Sequence, residues 1–333
     1  MTAWRIFALL IALAITPGAR ADDASEVQAI YRDWMVPRSV ELVADSARLT
    51  SALQTYCATS SQDSATALEA ARKAWNTSLA AWERLSAVSI GLMLDYRMQG
   101  KLDFTPTRPR MIVKAVEAAP ESAADMDRIG TPAKGFPALE WLLWTKPVQR
   151  ASAGCRYAVQ VAIEIEREAK FMETGFREAA ANTLNAAAAK KAVSDWVNQW
   201  VGGLEYLRWS DMEKPARKAA TTGSDVRPDY PRSASGATAA SWAAQWEALR
   251  ALAEGAGPGS LASMLRARQQ GQLADGLAGT VGRANKAMAG LGGNDPNRVL
   301  TAARELSTLK RFVEDKVAPA LDVRIGFSDA DGD

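Results

Sequence analysis

Glu140 is the one charged residue in the stretch Gly135-Phe-Pro-Ala-Leu-Glu140-Trp-Leu-Leu-Trp144. On a helix its neighbours three and four positions away are Phe136, Pro137, Leu143 and Trp144, all apolar. No polar stripe exists for it to join. A carboxylate in such company needs a cation or hydrogen-bond donors, or it takes up a proton. Two readings follow: a structural ion pair at the rim of the core, or the anchor of a ligand in a cleft. The expected partner is Arg108, which closes the loop Asp103-Phe-Thr-Pro-Thr-Arg108 and is held extended by Pro109. Arg84, Arg97 and Lys134 are the alternatives. The loop itself carries both charge signs and two nearby prolines. It is read either as a preorganised polar pocket around Asp103 or as a helix-to-helix turn with Asp103 as a cap.

The chain contains no histidine. Imidazole-dependent nucleophile activation and the zinc site of a His-Glu-x-x-His helix are therefore excluded. Any metal would rest on carboxylate or backbone oxygens, which suit hard cations, and Glu140 is the only metal candidate singled out. The tail Asp329-Ala-Asp-Gly-Asp333 is too short for a calcium loop ending in a bidentate glutamate. Arg232-Ser-Ala-Ser235 precedes a helix. Ser235 is expected to cap it, the alternative being amides that face an anion. The tryptophans recur at helical spacing: 75 and 82, 141 and 144, 196 and 200, 242 and 246. They read as core, with an aromatic-walled cleft involving Trp75, Trp82 and Trp141 as the functional variant.

The elements that must position these groups are helical almost throughout. Asp23-x-x-Glu26 resembles a capping box, and Pro37 is expected to end or kink the first helix. Leu68, Ala71, Trp75, Leu79, Trp82 and Leu85 carry one amphipathic helix from Ala65 to about Gln99. Short helices fit 111–116 and 122–128, and long ones fit 155–180, 186–209, 242–254, 261–270 and 272–291. Asp295-Pro296 opens the last, which runs to Val317. Trp82-Glu-Arg-Leu-Ser-Ala87 and Trp246-Glu-Ala-Leu-Arg-Ala251 share the pattern W-E-x-L-x-A. No strand-type alternation is found. The fold class is all-α, with two helical-bundle subdomains of long up-and-down helices. Residues 22–214 form the first part, 215–241 an irregular connection rich in Pro, Gly, Ser and Thr, and 242–333 the second part.

Residues 1–21 read as a secretory signal peptide: Arg5, the apolar run Ile6–Ile15, then Ala19-Arg-Ala21 before the cleavage point. That leader holds two of the 40 basic residues, leaving them level with the 38 acidic ones. A neutral balance argues against nucleic acid as a partner. No segment is long and apolar enough to span a bilayer after cleavage. The expected location is the periplasm, where Cys57 and Cys155, the only two cysteines, are expected to form a disulfide.

Several motifs occur in an order that resembles the imelysin family of exported bacterial proteins. They are Tyr56-Cys57, Trp75 and Trp82, Asp103–Arg108, Gly135-Phe-Pro-Ala-Leu-Glu140-Trp-Leu-Leu, Cys155-Arg-Tyr and the closing Gly326-Phe-Ser-Asp-Ala-Asp-Gly-Asp333. The resemblance implies a periplasmic, two-part, all-helical protein linked to iron uptake. The family's peptidase label rests on a G-x-H-x-x-E motif. Here Gly135 and Glu140 match, and Pro137, which has no ligand atom, stands in the histidine position. The resulting expectation is a non-catalytic binding or accessory protein. Its site holds Glu140, Arg108, Asp103, Gly135, Pro137, Trp75, Trp82 and Trp141. Its ligand would be a small molecule, iron or another divalent cation, or an iron-uptake protein of the periplasm or outer membrane. A carboxylate-based metallopeptidase and an envelope interaction module are the competing readings.

Overall fold

The computed structural model describes residues 19–58, 64–222 and 226–326. Residues 1–18, which hold most of the expected signal peptide, residues 59–63, residues 223–225 and residues 327–333 lie outside these. Among the described residues there is no strand, and no helix is long and apolar enough to cross a membrane.

Chain order gives α1 (Ala19–Ala29), α2 (Val36–Ala58), α3 (Ser64–Ser86), α4 (Leu92–Asp95), α5 (Met98–Leu102), α6 (Pro109–Ala118), α7 (Ala123–Arg128), α8 (Gly135–Glu140) and α9 (Ala153–Ala181). After these come α10 (Ala186–Glu205), α11 (Lys214–Thr222), α12 (Thr238–Glu254), α13 (Leu261–Ala267), α14 (Gly271–Met288), α15 (Pro296–Phe312) and α16 (Ala318–Ala320). Short π-helical turns extend α1, α8, α10 and α15. Helix α2 packs between α3 and α9, and α12 lies on α3 and α14, so α3 and α12 join the two ends of the sequence. The core is built where the sequence placed its aromatics. Trp75, Trp82, Trp196, Trp200 and Trp242 are all fully buried, with Tyr157 and Phe176 of α9.

Three local expectations are corrected. Asp23 and Glu26 do not form a capping box, because α1 begins at Ala19. Asp23 instead pairs with Arg268, and Glu26 accepts from the Ser263 hydroxyl and the Gly259 amide, fastening α1 to α13. Pro37 does not end the helix. It sits at the second position of α2, directly after the π-helical turn Ile30–Met35. That wider turn removes the ordinary hydrogen bond that proline cannot make. The connection is only partly irregular, since α11 occupies its first third.

The largest correction concerns the helix expected to reach Gln99. It stops at Ser86, although Ala87, Val88 and Ile90 keep an apolar pattern and are buried. Tertiary approach decides the point. A Cβ on Gly203 of α10 would lie 1.8 Å from the Ala87 carbonyl oxygen, so α10 packs directly on the backbone that leaves α3. Gly91 then takes φ 54°, ψ −127°, which reverses the chain into α4. Gly203→Ala is expected to destabilise by roughly 3 kcal/mol, since a backbone carbonyl must move. Thermal unfolding of the variant checks this; a loss below about 1 kcal/mol would mean that the α3–α10 contact yields easily.

Candidate functional site

Glu140 ends α8, and the glycine that starts this helix fixes its place. Gly135 has φ +72°, and a Cβ there would meet the Leu102 carbonyl oxygen at 2.2 Å. Only a glycine lets α8 begin against the residue that precedes Asp103. The Asp103 loop and the Glu140 helix are thereby brought side by side. Trp75 holds the same helix from behind: its indole N–H donates to the Phe136 carbonyl (3.2 Å), and its ring meets Trp144 edge-on at 4.9 Å.

The crossover turn between α11 and α12 covers this pair. Ser235 donates to Glu140 Oε1 from its backbone N–H (3.0 Å) and its hydroxyl (2.7 Å). Three residues earlier, the Arg232 guanidinium reaches Asp103 Oδ1 at short range and Glu83 Oε1 at 3.6 Å. The other Asp103 oxygen accepts from the Trp82 indole at 3.3 Å. Glu83, on α3, accepts from the Ser241 hydroxyl of α12 at 2.6 Å. Gln245, one turn further along α12, donates to Ser241 Oγ (3.3 Å) and to Asp211 Oδ2 (2.9 Å). Asp211 lies in the π-helical turn Tyr206–Glu213 that follows α10, and Tyr206 from the same turn hydrogen-bonds Thr105. Four carboxyl groups and one guanidinium thus form a single buried cluster, each between 3% and 7% exposed.

The electrostatics follow from that imbalance. Burial pushes the Glu83 carboxyl up to about 8; Arg232 opposes the rise, and Asp103 and Asp211 add to it. Burial likewise pushes Asp211 up to about 7, against the Gln245 hydrogen bond and Arg232. Burial alone would lower the Arg232 guanidinium, yet Asp103, Glu83 and Glu140 more than reverse this and raise it. Burial, reinforced by Asp211 and Asp103, also raises the Tyr206 phenol well above its ordinary value.

The expected site residues therefore part company. Glu140, Asp103 and Trp82 meet in the cluster, with Gly135 and Pro137 in the helix that carries Glu140. Arg108 does not partner Glu140. It precedes α6 with an exposed side chain, and the cation beside Glu140 is Arg232. The three alternatives are engaged elsewhere or face solvent: Arg84 with Glu247 and Glu41, Lys134 with Glu164, and Arg97 on the surface. Trp75 packs α8 instead of walling a cleft. Trp141 is half-buried, with the Lys146 ammonium 5.8 Å from its ring centre. Ser235 does not cap α12, whose preceding residue is Ala237; of the two readings of this serine, the amide facing an anion is the one realised. Glu83, Asp211 and Arg232 were missed as site residues. The only signals were the glutamate of the W-E-x-L-x-A pattern and an arginine in an otherwise small-residue turn.

The residues present do not fit a metal. The position that the family motif gives to histidine is Pro137, whose side chain has no donor atom. A guanidinium already sits among the carboxyls, and Glu140 takes both Ser235 donors. Among the described residues, no group of three or more Asp, Glu, Cys or His side chains is arranged to hold an ion. Cys57 and Cys155 form a disulfide, with Cα atoms 5.7 Å apart, that ties the end of α2 to the start of α9.

This arrangement of helices is that of imelysin-like structures. A crystal structure of an imelysin-like protein from Psychrobacter arcticum matches with a TM-score of 0.77 and 18% identity, covering 96% of this chain and all of that one. A candidate iron-regulated protein A precursor from Parabacteroides distasonis matches with a TM-score of 0.71 and 15% identity, over 90% of this chain and 95% of the other. The family model for Imelysin (Peptidase_M75) matches residues 35–314, so the chain belongs to the imelysin family. Iron-regulated protein A of Synechococcus elongatus is 28% identical over 155 residues, which is 46% of this chain and only 40% of that relative's length.

Proposed function

We propose that this chain is a non-catalytic binding or accessory protein of iron acquisition, exported to the periplasm. One observation carries the reading: one oxygen of the motif glutamate is already taken up by hydrogen bonds from within the chain. Glu140 Oε1 accepts two hydrogen bonds from Ser235, and the neighbouring acids converge on Arg232. A general base or metal ligand needs a lone pair turned toward substrate, and Pro137 removes the second ligand of the family motif. The crossover turn over Glu140 instead offers a surface that a ligand or partner engages by displacing Ser235. The iron connection draws on the names of the relatives and on family membership.

The test is iron uptake in a strain lacking the gene, complemented with the wild-type chain or with Glu140→Gln. The deletion is expected to lower uptake under iron limitation. The variant, present at wild-type level, is expected not to restore it. Purified wild-type protein is expected to leave a peptide library uncut. Cleavage that Glu140→Gln abolishes would establish the peptidase reading in its place, and uptake unaffected by deletion would remove the iron role.

A further inference from the structure

The crossover turn meets the acids of the cluster through two residues, Arg232 and Ser235, while Tyr230 packs on Trp242 and the Thr238 hydroxyl donates to the Pro231 carbonyl beside them. Every other segment at the cluster is helical or fixed against a helix. Glu83 comes from α3, Asp103 from the loop after α5, Glu140 from α8, Asp211 and Tyr206 from the π-helical turn, and Ser241 and Gln245 from α12. Around Glu83 the charged or titratable groups are Arg232, Asp103, Asp211 and the Tyr206 phenol, and α12 presents only the neutral Ser241. Around Asp211 they are Arg232 and Asp103, with Tyr206 from its own turn and the neutral Gln245 from α12. One cation thus faces four acids with no second cation in the cluster. Full ionisation would leave three uncompensated negative charges in a space closed to water, which is strongly unfavourable.

We propose that the cluster is a proton-dependent clasp: protons on Glu83 and Asp211 keep the crossover turn seated, and their loss releases it and uncovers Glu140. Both groups rise into the neutral range through burial, so the transition falls where the solution pH of an exported protein varies. Once both have ionised, Arg232 can no longer balance the acids at hydrogen-bond range. Water must enter to solvate them. The crossover is the segment that gives way, because the two side chains that seat it on the cluster, Arg232 and Ser235, both act on the acids themselves. Acidification reverses the change. This deepens the reading of the cluster as a binding site by supplying its regulation, but the coupling itself needs neither ligand nor iron.

Hydrogen exchange on the purified, oxidised full chain tests it without a ligand. After correction for intrinsic rates, amide protection in residues 228–241 is expected to fall at least tenfold between pH 6 and pH 9. Protection in the middle of α9 is expected to change less than twofold. The double variant Glu83→Gln, Asp211→Asn is expected to cut the change in 228–241 to less than twofold. Equal pH responses in the crossover and α9, or a full response in the double variant, would overturn the proposal. Carboxyl carbon NMR on the wild-type chain gives a second reading should the variant not fold: ionisation of both groups in the ordinary carboxylate range would equally overturn it. Loss of the iron phenotype leaves these readouts untouched, so the two failures are separable.

Discussion

Replacing Arg232 by methionine is expected to destabilise the protein by about 3–5 kcal/mol, the range for removing one partner of a buried ion pair. The loss is large because the methionine fills the volume but leaves the buried Asp103 carboxylate without its cation. Trp82 remains as a donor to Asp103 and does not neutralise its charge. Urea unfolding at pH 7 reads the difference, and thermal unfolding should show a fall on the order of 10 °C. Adding Asp103→Asn to Arg232→Met should recover part of the loss, since the pair was unfavourable only once broken. A stability change below about 1 kcal/mol in the single variant would mean that Arg232 is solvated and that the cluster is not closed. The sign with pH is also fixed. A carboxyl raised by folding favours the folded state fully below its unfolded value, and that contribution is lost as pH rises through the folded one. For Glu83 the window runs from 4.5 to about 8, and for Asp211 from 3.8 to about 7. The Arg232 variant should therefore be least impaired in acid.

Opening the Cys57–Cys155 bridge is the second change of this size. The bridge closes a loop spanning 98 residues, for which the chain-entropy argument gives roughly 4–5 kcal/mol. That loop contains α3, the Asp103 segment and α8, and so carries three of the four acids of the cluster. Urea midpoints of the wild-type chain in dithiothreitol and of the double variant Cys57→Ala, Cys155→Ala should agree with each other and fall well below that of the oxidised wild-type chain. A shift worth less than about 1 kcal/mol would mean that the contacts of α2 with α9 already confine the reduced chain.

The helices were legible in the sequence wherever burial follows a single face, as with Trp75, Leu79 and Trp82 of α3 or the Asp295-Pro296 start of α15. They were misread where a distant backbone sets the end. Nothing near Ser86 announces that Gly203 will press on Ala87. The cluster was half legible for the same reason. Glu140 stands out because its whole neighbourhood is apolar, and Asp103 because its loop is unusual. Arg232 sits in a small-residue turn that looks like a helix cap, and Asp211 lies in a segment crowded with charges. Glu83 was visible only as part of a short echo whose other copy, Glu247, faces outward to Arg84. Which of two similar glutamates turns inward depends on how α3 and α12 pack, and no local pattern records that.

The contacts that complete the cluster join residues 95, 129 and 158 positions apart: Glu140 with Ser235, Asp103 with Arg232, and Glu83 with Ser241. Loop closure over such distances is slow, and contacts of this kind form late in folding. The cluster is thus a record of completed assembly. A nascent or truncated chain ending before the crossover carries Glu140 but cannot present it in its finished surroundings, so recognition of this surface would by itself discriminate finished molecules from unfinished ones.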